Sequence, residues 1–455
     1  MLINIFVLII YFLVITFFVQ QKSNNQIQPK WWQVSISIVA AETSALTFVS
    51  LPGIAFAGNL NFLQLALGYI LGRVFIAFIL LPKYKKNQIT TAYTFIGQFY
   101  GNQTQKFLSI IFLFTKLLAD SVRLYATSIP IKLLFNIDYH YSIIAITILT
   151  ILYVIFSGFS KLLKLDAYQK LLFLFTALLS IIIIYYQNIE NINNSIIHNI
   201  HKFNIFDFNI DKFFTNPYNF YSGVIGGAIL SIATHGTDQS IVQRLLSINN
   251  LKNSQKSIIL SGILVFFQFY LFLMIGVLLS FLYVNKNIKP DEIFIMFVIN
   301  KIPVGISGLI IAGVIASALS SLGASINGMV SSLTNDLYKN LNKKFTFSQI
   351  VVIISIVLTL LAFWISSTKQ SVIEIALRII SITYSGILGI FILALLNIKL
   401  SSVMSIISIS CGILLSTILY FLNIVAWTWL MPIGVTCTII VGILINNFVR
   451  REYAA

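Results

Sequence analysis

The chain has 455 residues, 58% hydrophobic and only 9% charged, with a mean hydropathy of +0.93. A soluble domain carries about 25% charged residues, so this composition excludes an ordinary soluble domain and indicates an all-α multi-pass membrane protein. The formal charge of +16 does not imply a nucleic-acid partner, because the basic residues stand in short groups between apolar spans and form no long surface interleaved with aromatics.

At about 20 apolar residues per crossing, about thirteen transmembrane helices are expected, at 2–20, 33–57, 61–82, 106–135, 141–158, 164–186, 219–236, 254–284, 304–335, 346–367, 370–397, 401–422 and 426–449. The first lacks a basic leader and a small-residue cleavage site and reads as a retained helix. With the N-terminus outside, about 17 Lys and Arg fall inside, among them Lys83, Lys85, Lys252 and Arg451, against 6 outside. The positive-inside rule therefore selects N-out, C-in. The chain is expected to be a single transmembrane domain that works as a monomer in the plasma membrane of a bacterium-like cell. A peripheral first helix and linker (1–32) and two last helices (398–455) flank two repeats, 33–186 and 219–397. Cys411 and Cys437 lie in apolar spans and read as packed thiols.

The second span holds Ala-Ala-Glu-Thr-Ser-Ala-Leu-Thr-Phe-Val-Ser-Leu-Pro-Gly at 40–53. An ionisable group at that depth costs roughly 2.5–3.5 kcal/mol on insertion scales, which marks Glu42 as a functional residue. Secondary transporters commonly pair two inverted repeats, each with a helix interrupted at the midplane. Span 33–57 is the first candidate. Span 219–236 is the second, being short and carrying Gly223, Gly226, Gly227, Ser231 and Thr234; the alternative is that its glycines only permit close helix packing. Span 304–335 contains Ser317-Ala-Leu-Ser-Ser-Leu-Gly-Ala-Ser325. Na+ is a hard cation that prefers carbonyl and hydroxyl oxygens, and an interrupted helix frees carbonyls for it. Ser320 and Ser321 offer adjacent hydroxyls, and Ser317 a carbonyl one turn earlier.

These stretches, together with Gly-Thr-Asp-Gln-Ser-Ile-Val-Gln-Arg at 236–244 and the Asn-Asp-Leu-Tyr ending at Tyr338, resemble the sodium:solute symporter family, which has the leucine-transporter type of five-plus-five inverted repeat. The resemblance implies a Na+ site from the carbonyls of Ala40, Thr43 and Ser317 and the hydroxyls of Ser320 and Ser321. Some branches hold a second Na+ with an aspartate, here Asp166, and hydroxyls one turn further on. Gly323 and Ala324 occupy those positions, so one Na+ per solute is expected, with Asp166 retained as a coupling residue.

A small organic solute is expected beside the ion, between the two interrupted helices. Glu42, Ser44 and Thr47 on the first and Ser231 and Thr234 on the second are its expected contacts. The resemblance also implies a role for Arg123: amino-acid and sialic-acid members carry an arginine in this helix, and a guanidinium suits bidentate recognition of a carboxylate. The alternative for Arg123 is an internal pair with Asp120 three residues earlier, with Lys116 four residues before that aspartate. The charges point to an amino acid, a monocarboxylate or an acidic sugar. Asp238, with Gln239, Gln243 and Arg244, is expected to hold the inner gate, and Tyr384 to stand on a gating helix. Phe62 and Gln64 are further pocket candidates, and Glu374 with Arg378 reads as a structural pair. The expected activity is Na+-coupled solute import, not an enzymatic reaction; the rivals are proton coupling through Glu42 or Asp166 and a non-transporting solute sensor.

Overall fold

The computed structural model describes residues 29–86, 92–156, 162–187, 199–283, 288–338, 344–368 and 371–452, together with Ile197 and five residues before position 11. The first expected span, 2–20, lies almost wholly outside them. Every later expected span falls on helix, and the described residues contain no strand. Among them, eight helices are long and apolar enough to cross a membrane, or nine when one bent pair is counted as a single span.

That bent pair is α1 (Trp31–Glu42) and α2 (Ala45–Ala57), which meet at 67°. Thr43 (φ −94°, ψ 110°) and Ser44 (φ −122°, ψ −167°) between them are extended. Ser44 restarts the helix as its N-cap, its side chain accepting from the Leu46 amide at 3.4 Å. Helix α3 (Leu63–Phe75) runs into a π-helical turn at Ile76–Leu80 and continues as Leu81–Lys86. After a short helix, Ala92–Tyr100, come α4 (Asn102–Phe135), α5 (Tyr139–Phe156) and α6 (Leu162–Gln187). The second half holds α7 (Phe220–Gly236), α8 (Gln239–Leu246), α9 (Leu251–Leu282), α10 (Ile306–Ser331), α11 (Phe347–Ser366), α12 (Val372–Leu395), α13 (Ser402–Leu422) and α14 (Trp427–Glu452).

The helices sort into groups by packing. Helix α7 lies along α3, and α9 packs on α1, α2 and α3, so these surround the α1–α2 break. A second group comprises α4, α5, α10 and α11, with α6 against α10. Helices α12, α13 and α14 pack on one another, and α12 also lies on α4. The first two groups meet where α2 touches α4 and α10.

The contact of α3 with α7 corrects one expectation. Span 219–236 is not interrupted among its glycines: α7 is continuous from Phe220 to Gly236 and breaks only at Thr237 and Asp238, before α8. A Cβ on Gly68 would stand 2.4 Å from the Val224 carbonyl oxygen, and one on Gly227 would stand 2.3 Å from that of Leu65. The small residues therefore serve backbone-to-backbone approach between two helices.

Candidate functional site

The α1–α2 break is the site's starting point. The helical ladder of α1 stops with the Thr43 amide on the Val39 carbonyl, and it resumes with the Thr47 and Phe48 amides on that of Ser44. The helical ladder is thus interrupted between these two points. Ala40, Thr43, Ser44 and Thr47 are all buried. The Thr43 hydroxyl donates back to the Val39 carbonyl at 2.6 Å, so its side chain is committed within α1.

The expected serines lie on α10, which packs against α2. Ser317 and Ser320 are buried and Ser321 is half-buried. Ser321 donates to the Ala318 carbonyl at 3.0 Å, which uses its proton and keeps its lone pairs as acceptors. Carbonyls and serine hydroxyls are oxygen donors, the chemistry that suits Na+.

Glu42 is not free for a solute amine. Its carboxylate is paired with Arg73 of α3, and its Oε2 lies 3.3 Å from His235 Nε2 on α7. Arg73 is fully buried and donates from Nη1 to Ser261 Oγ of α9 at 2.7 Å. Reasoning from the sequence missed Arg73. The signal was present, a single guanidinium inside the apolar run Leu-Gly-Tyr-Ile-Leu-Gly-Arg-Val-Phe-Ile-Ala-Phe, and it is the same kind of signal that singled out Glu42.

Arg123 takes the internal pairing, with Nη1 on Asp120 Oδ1 at 2.7 Å. The other Asp120 oxygen accepts from Ser325 of α10. Lys116 reaches past Asp120 to Asp238, whose Oδ2 is 3.3 Å from Nζ. The same Oδ2 accepts from the Tyr384 hydroxyl of α12 at 3.0 Å. Two expected gate residues are therefore in direct contact, at the point where α7 breaks before α8. Arg244 of α8 completes this end by donating to Ser37 Oγ of α1 at 2.9 Å.

The remaining candidates are placed as follows. The Ser231 hydroxyl faces α3 and donates to the Tyr69 carbonyl at 3.1 Å, which ties two helices together. Thr234 donates to the Leu230 carbonyl at 2.8 Å and lies 2.9 Å from His235 Nδ1. Gln64 is buried and engaged with Asn61, Tyr218 and Asp207, which anchors the loop before α7. Phe62 packs against Tyr218 and Phe269. Glu374 and Arg378 pair at 3.3 Å as expected. The side chain of Asp166 lies outside the described residues.

A cavity of about 880 Å³ opens at the other end of the bundle, bounded by Gly53, Tyr125, Tyr139, Tyr218, Asp291 and Glu374 among others. This is the end that the lysine distribution assigns to the outside. A short 3-10 turn, Pro290–Glu292, borders it, and Lys132 pairs with Glu292 at 2.7 Å.

The model of the sodium:solute symporter family matches residues 24–412. The chain belongs to the sodium:solute symporter family. Its fold is of the leucine-transporter type, and a structure of a substrate-bound, outward-open Na+-coupled sialic acid symporter superposes with a TM-score of 0.81 at 22% identity, covering 98% of both chains. Mhp1, a nucleobase-cation-symport-1 family transporter, shares the fold more distantly, with a TM-score of 0.57 at 10% identity over 93% of both chains. Among family relatives, the sodium/sialic acid symporter SiaT of Proteus mirabilis is 25% identical over 75% of this chain and 71% of its own length. The sodium/sialic acid symporter NanT of Aliivibrio fischeri is 25% identical over 70% of this chain and 64% of its own. Sodium/glucose cotransporter 1 of Oryctolagus cuniculus is 25% identical over 71% of this chain, which spans just over half of that relative at 54%. These family members are Na+-coupled transporters and not enzymes, and sodium is their coupling ion.

Proposed function

We propose that this family member imports a small carboxylated solute of the acidic-sugar type together with Na+, by alternating access across a bacterial plasma membrane. One observation supports the reading: a helix interrupted at Thr43–Ser44, whose second half packs against the helix that carries Ser317, Ser320 and Ser321. The carbonyls of Ala40, Thr43 and Ser317 and the hydroxyls of Ser320 and Ser321 hold one Na+ across the two groups. Each Na+ carried inward supplies roughly 2.3 kcal/mol per 100 mV of membrane potential.

The chain's own residues set the rest. Ser44 and Thr47 lie beyond the break on α2 and offer hydroxyls to the solute, while the Asp238–Lys116–Tyr384 contacts close the inner end and the outer cavity admits solute. Ion and solute each favour binding of the other, and by linkage that coupling is reciprocal. The thirteen-helix, N-out, C-in arrangement with repeats at 33–186 and 219–397 belongs to the same proposal. The acidic-sugar choice follows the sialic acid symporters among the relatives. The test is uptake of labelled sialic acid into proteoliposomes under inward gradients of Na+, K+ or protons, with amino acids and monocarboxylates in parallel. Uptake with Na+ alone is the expected result; equal uptake under all three gradients removes sodium coupling.

A further inference from the structure

Arg73 is a cation with no exposed surface, in the middle of an apolar helix. Its contacts join three other helices at the break, α1, α7 and α9. Nη2 donates to the Glu42 carboxylate at the last residue of α1 and lies 3.1 Å from His235 Nε2 on α7. Nη1 donates to Ser261 of α9 at 2.7 Å. Space for its stem depends on Gly262, where a Cβ would stand 2.9 Å from Arg73 Cδ. The imidazole is held at both nitrogens: Nδ1 lies 2.9 Å from the Thr234 hydroxyl, and Nε2 stands between the guanidinium at 3.1 Å and Glu42 Oε2 at 3.3 Å. Carboxylate and imidazole converge on one guanidinium.

Glu42 and His235 are the residues that precede, by one and two positions, the two helix interruptions at Thr43–Ser44 and Thr237–Asp238. One side chain on α3 therefore clamps both interrupted helices to α9. All four helices belong to the group that supplies carbonyls to the sodium site, whereas the hydroxyls come from α10 in the other group. The clamp lies within one group; the ion spans two.

We propose that Arg73 is the positioning residue of the sodium site: it holds the end of α1 so that carbonyls 40 and 43 keep the spacing an alkali ion requires. The inference rests on the sodium site proposed above. It assigns Glu42 to that clamp and takes it away from solute recognition.

The test uses Na+ itself as probe, read as thermal stabilisation of the purified full-length protein in NaCl against choline chloride, with no solute present. Arg73→Lys keeps a positive charge beside Glu42 but loses the fork that reaches Ser261 and His235 together. Its Na+ half-saturation should weaken about tenfold, equivalent to about 1.4 kcal/mol. Arg73→Gln should weaken it at least as far. A clamp that only supports the fold would lower the midpoint in choline and leave the Na+ half-saturation unchanged; that result in Arg73→Lys overturns the proposal. If Arg73→Gln does not fold, Arg73→Lys decides alone, with Ser261→Ala, which removes only the Nη1 acceptor, expected to shift the half-saturation in the same direction. Wild-type protein that gains no stability from Na+ would instead defeat the sodium site on which this inference rests.

Discussion

The Tyr384 hydroxyl and the Asp238 carboxylate, 146 positions apart in the chain, meet at 3.0 Å, on the same oxygen that Lys116 approaches at 3.3 Å. The cluster joins α4, α12 and the break that ends α7, and so bridges separate helix groups. The Arg73 clamp, by contrast, stays inside one group.

Asp238→Asn is expected to loosen this bridge. Breaking a fully buried pair costs about 3–5 kcal/mol, and the figure here falls to about 1–3 kcal/mol because Lys116 keeps part of its side chain exposed. A double-mutant cycle of Asp238→Asn with Lys116→Met, read by thermal denaturation, should give a coupling of about 1 kcal/mol. Additive single effects would show that the contact contributes nothing.

The proposed sodium ligands can be separated by the kind of oxygen each would supply. Ser320→Ala and Ser321→Ala remove hydroxyls and should each raise the Na+ half-saturation of uptake about tenfold, or about 1.4 kcal/mol. Ser317→Ala keeps the backbone carbonyl and should leave the half-saturation where it was. Unchanged Na+ activation in both hydroxyl variants would take those serines out of the site.

The glycine seam between α3 and α7 makes a stability prediction. Gly68→Ala and Gly227→Ala drive a methyl into backbone at 2.4 Å and 2.3 Å, and each should destabilise by about 1–3 kcal/mol. Gly328→Ala is the control. Its nearest neighbour, Phe112 Cζ, stands at 4.0 Å, and a helical alanine there should be neutral or stabilising by about 0.5 kcal/mol. Thermal midpoints of the three variants check the ordering.

Asp291, in the 3-10 turn that borders the cavity beside Gly53 and Glu374, gives a pH dependence. Burial pushes its carboxyl up to about 6, with the nearby Glu374 and Glu292 adding to the rise and the hydrogen bond from the Val372 amide opposing it. The folded state therefore binds this proton more tightly than the unfolded chain does. The stability it contributes is fully present below about pH 4 and is lost as pH rises through about 6, a change of at most about 3 kcal/mol. Asp291→Asn should flatten that part of the stability profile; an unchanged slope between pH 4 and 6.5 would assign it to other groups.

Much of this arrangement was legible in the sequence. The α1–α2 break follows from a charge and small hydroxyls inside an apolar run, and span positions follow from hydropathy alone. Asp238 and Tyr384 could be singled out one at a time, but the contact between them could not, because nothing local links residues so far apart. The glycines of α7 were misleading for a physical reason: a helix that must touch a neighbour's backbone and a helix that must unwind both call for small residues. Only the partner, Leu65 on α3, distinguishes the two. Arg123 had two plausible partners, and the one three residues away prevailed.

The π-helical turn at Ile76–Leu80 accommodates one residue more than an α-turn would. Everything after it is consequently rotated by about 100° relative to an unbroken helix. That phase lets Tyr84 reach the Gly236 carbonyl at 2.7 Å and Lys85 the Asn249 carbonyl at 3.0 Å. Removing a single residue from the wide turn would restore a regular helix and swing both side chains off their acceptors. The count of residues in this span, and not only their polarity, thus decides whether its end is stapled to the end of α7 and to the turn before α9.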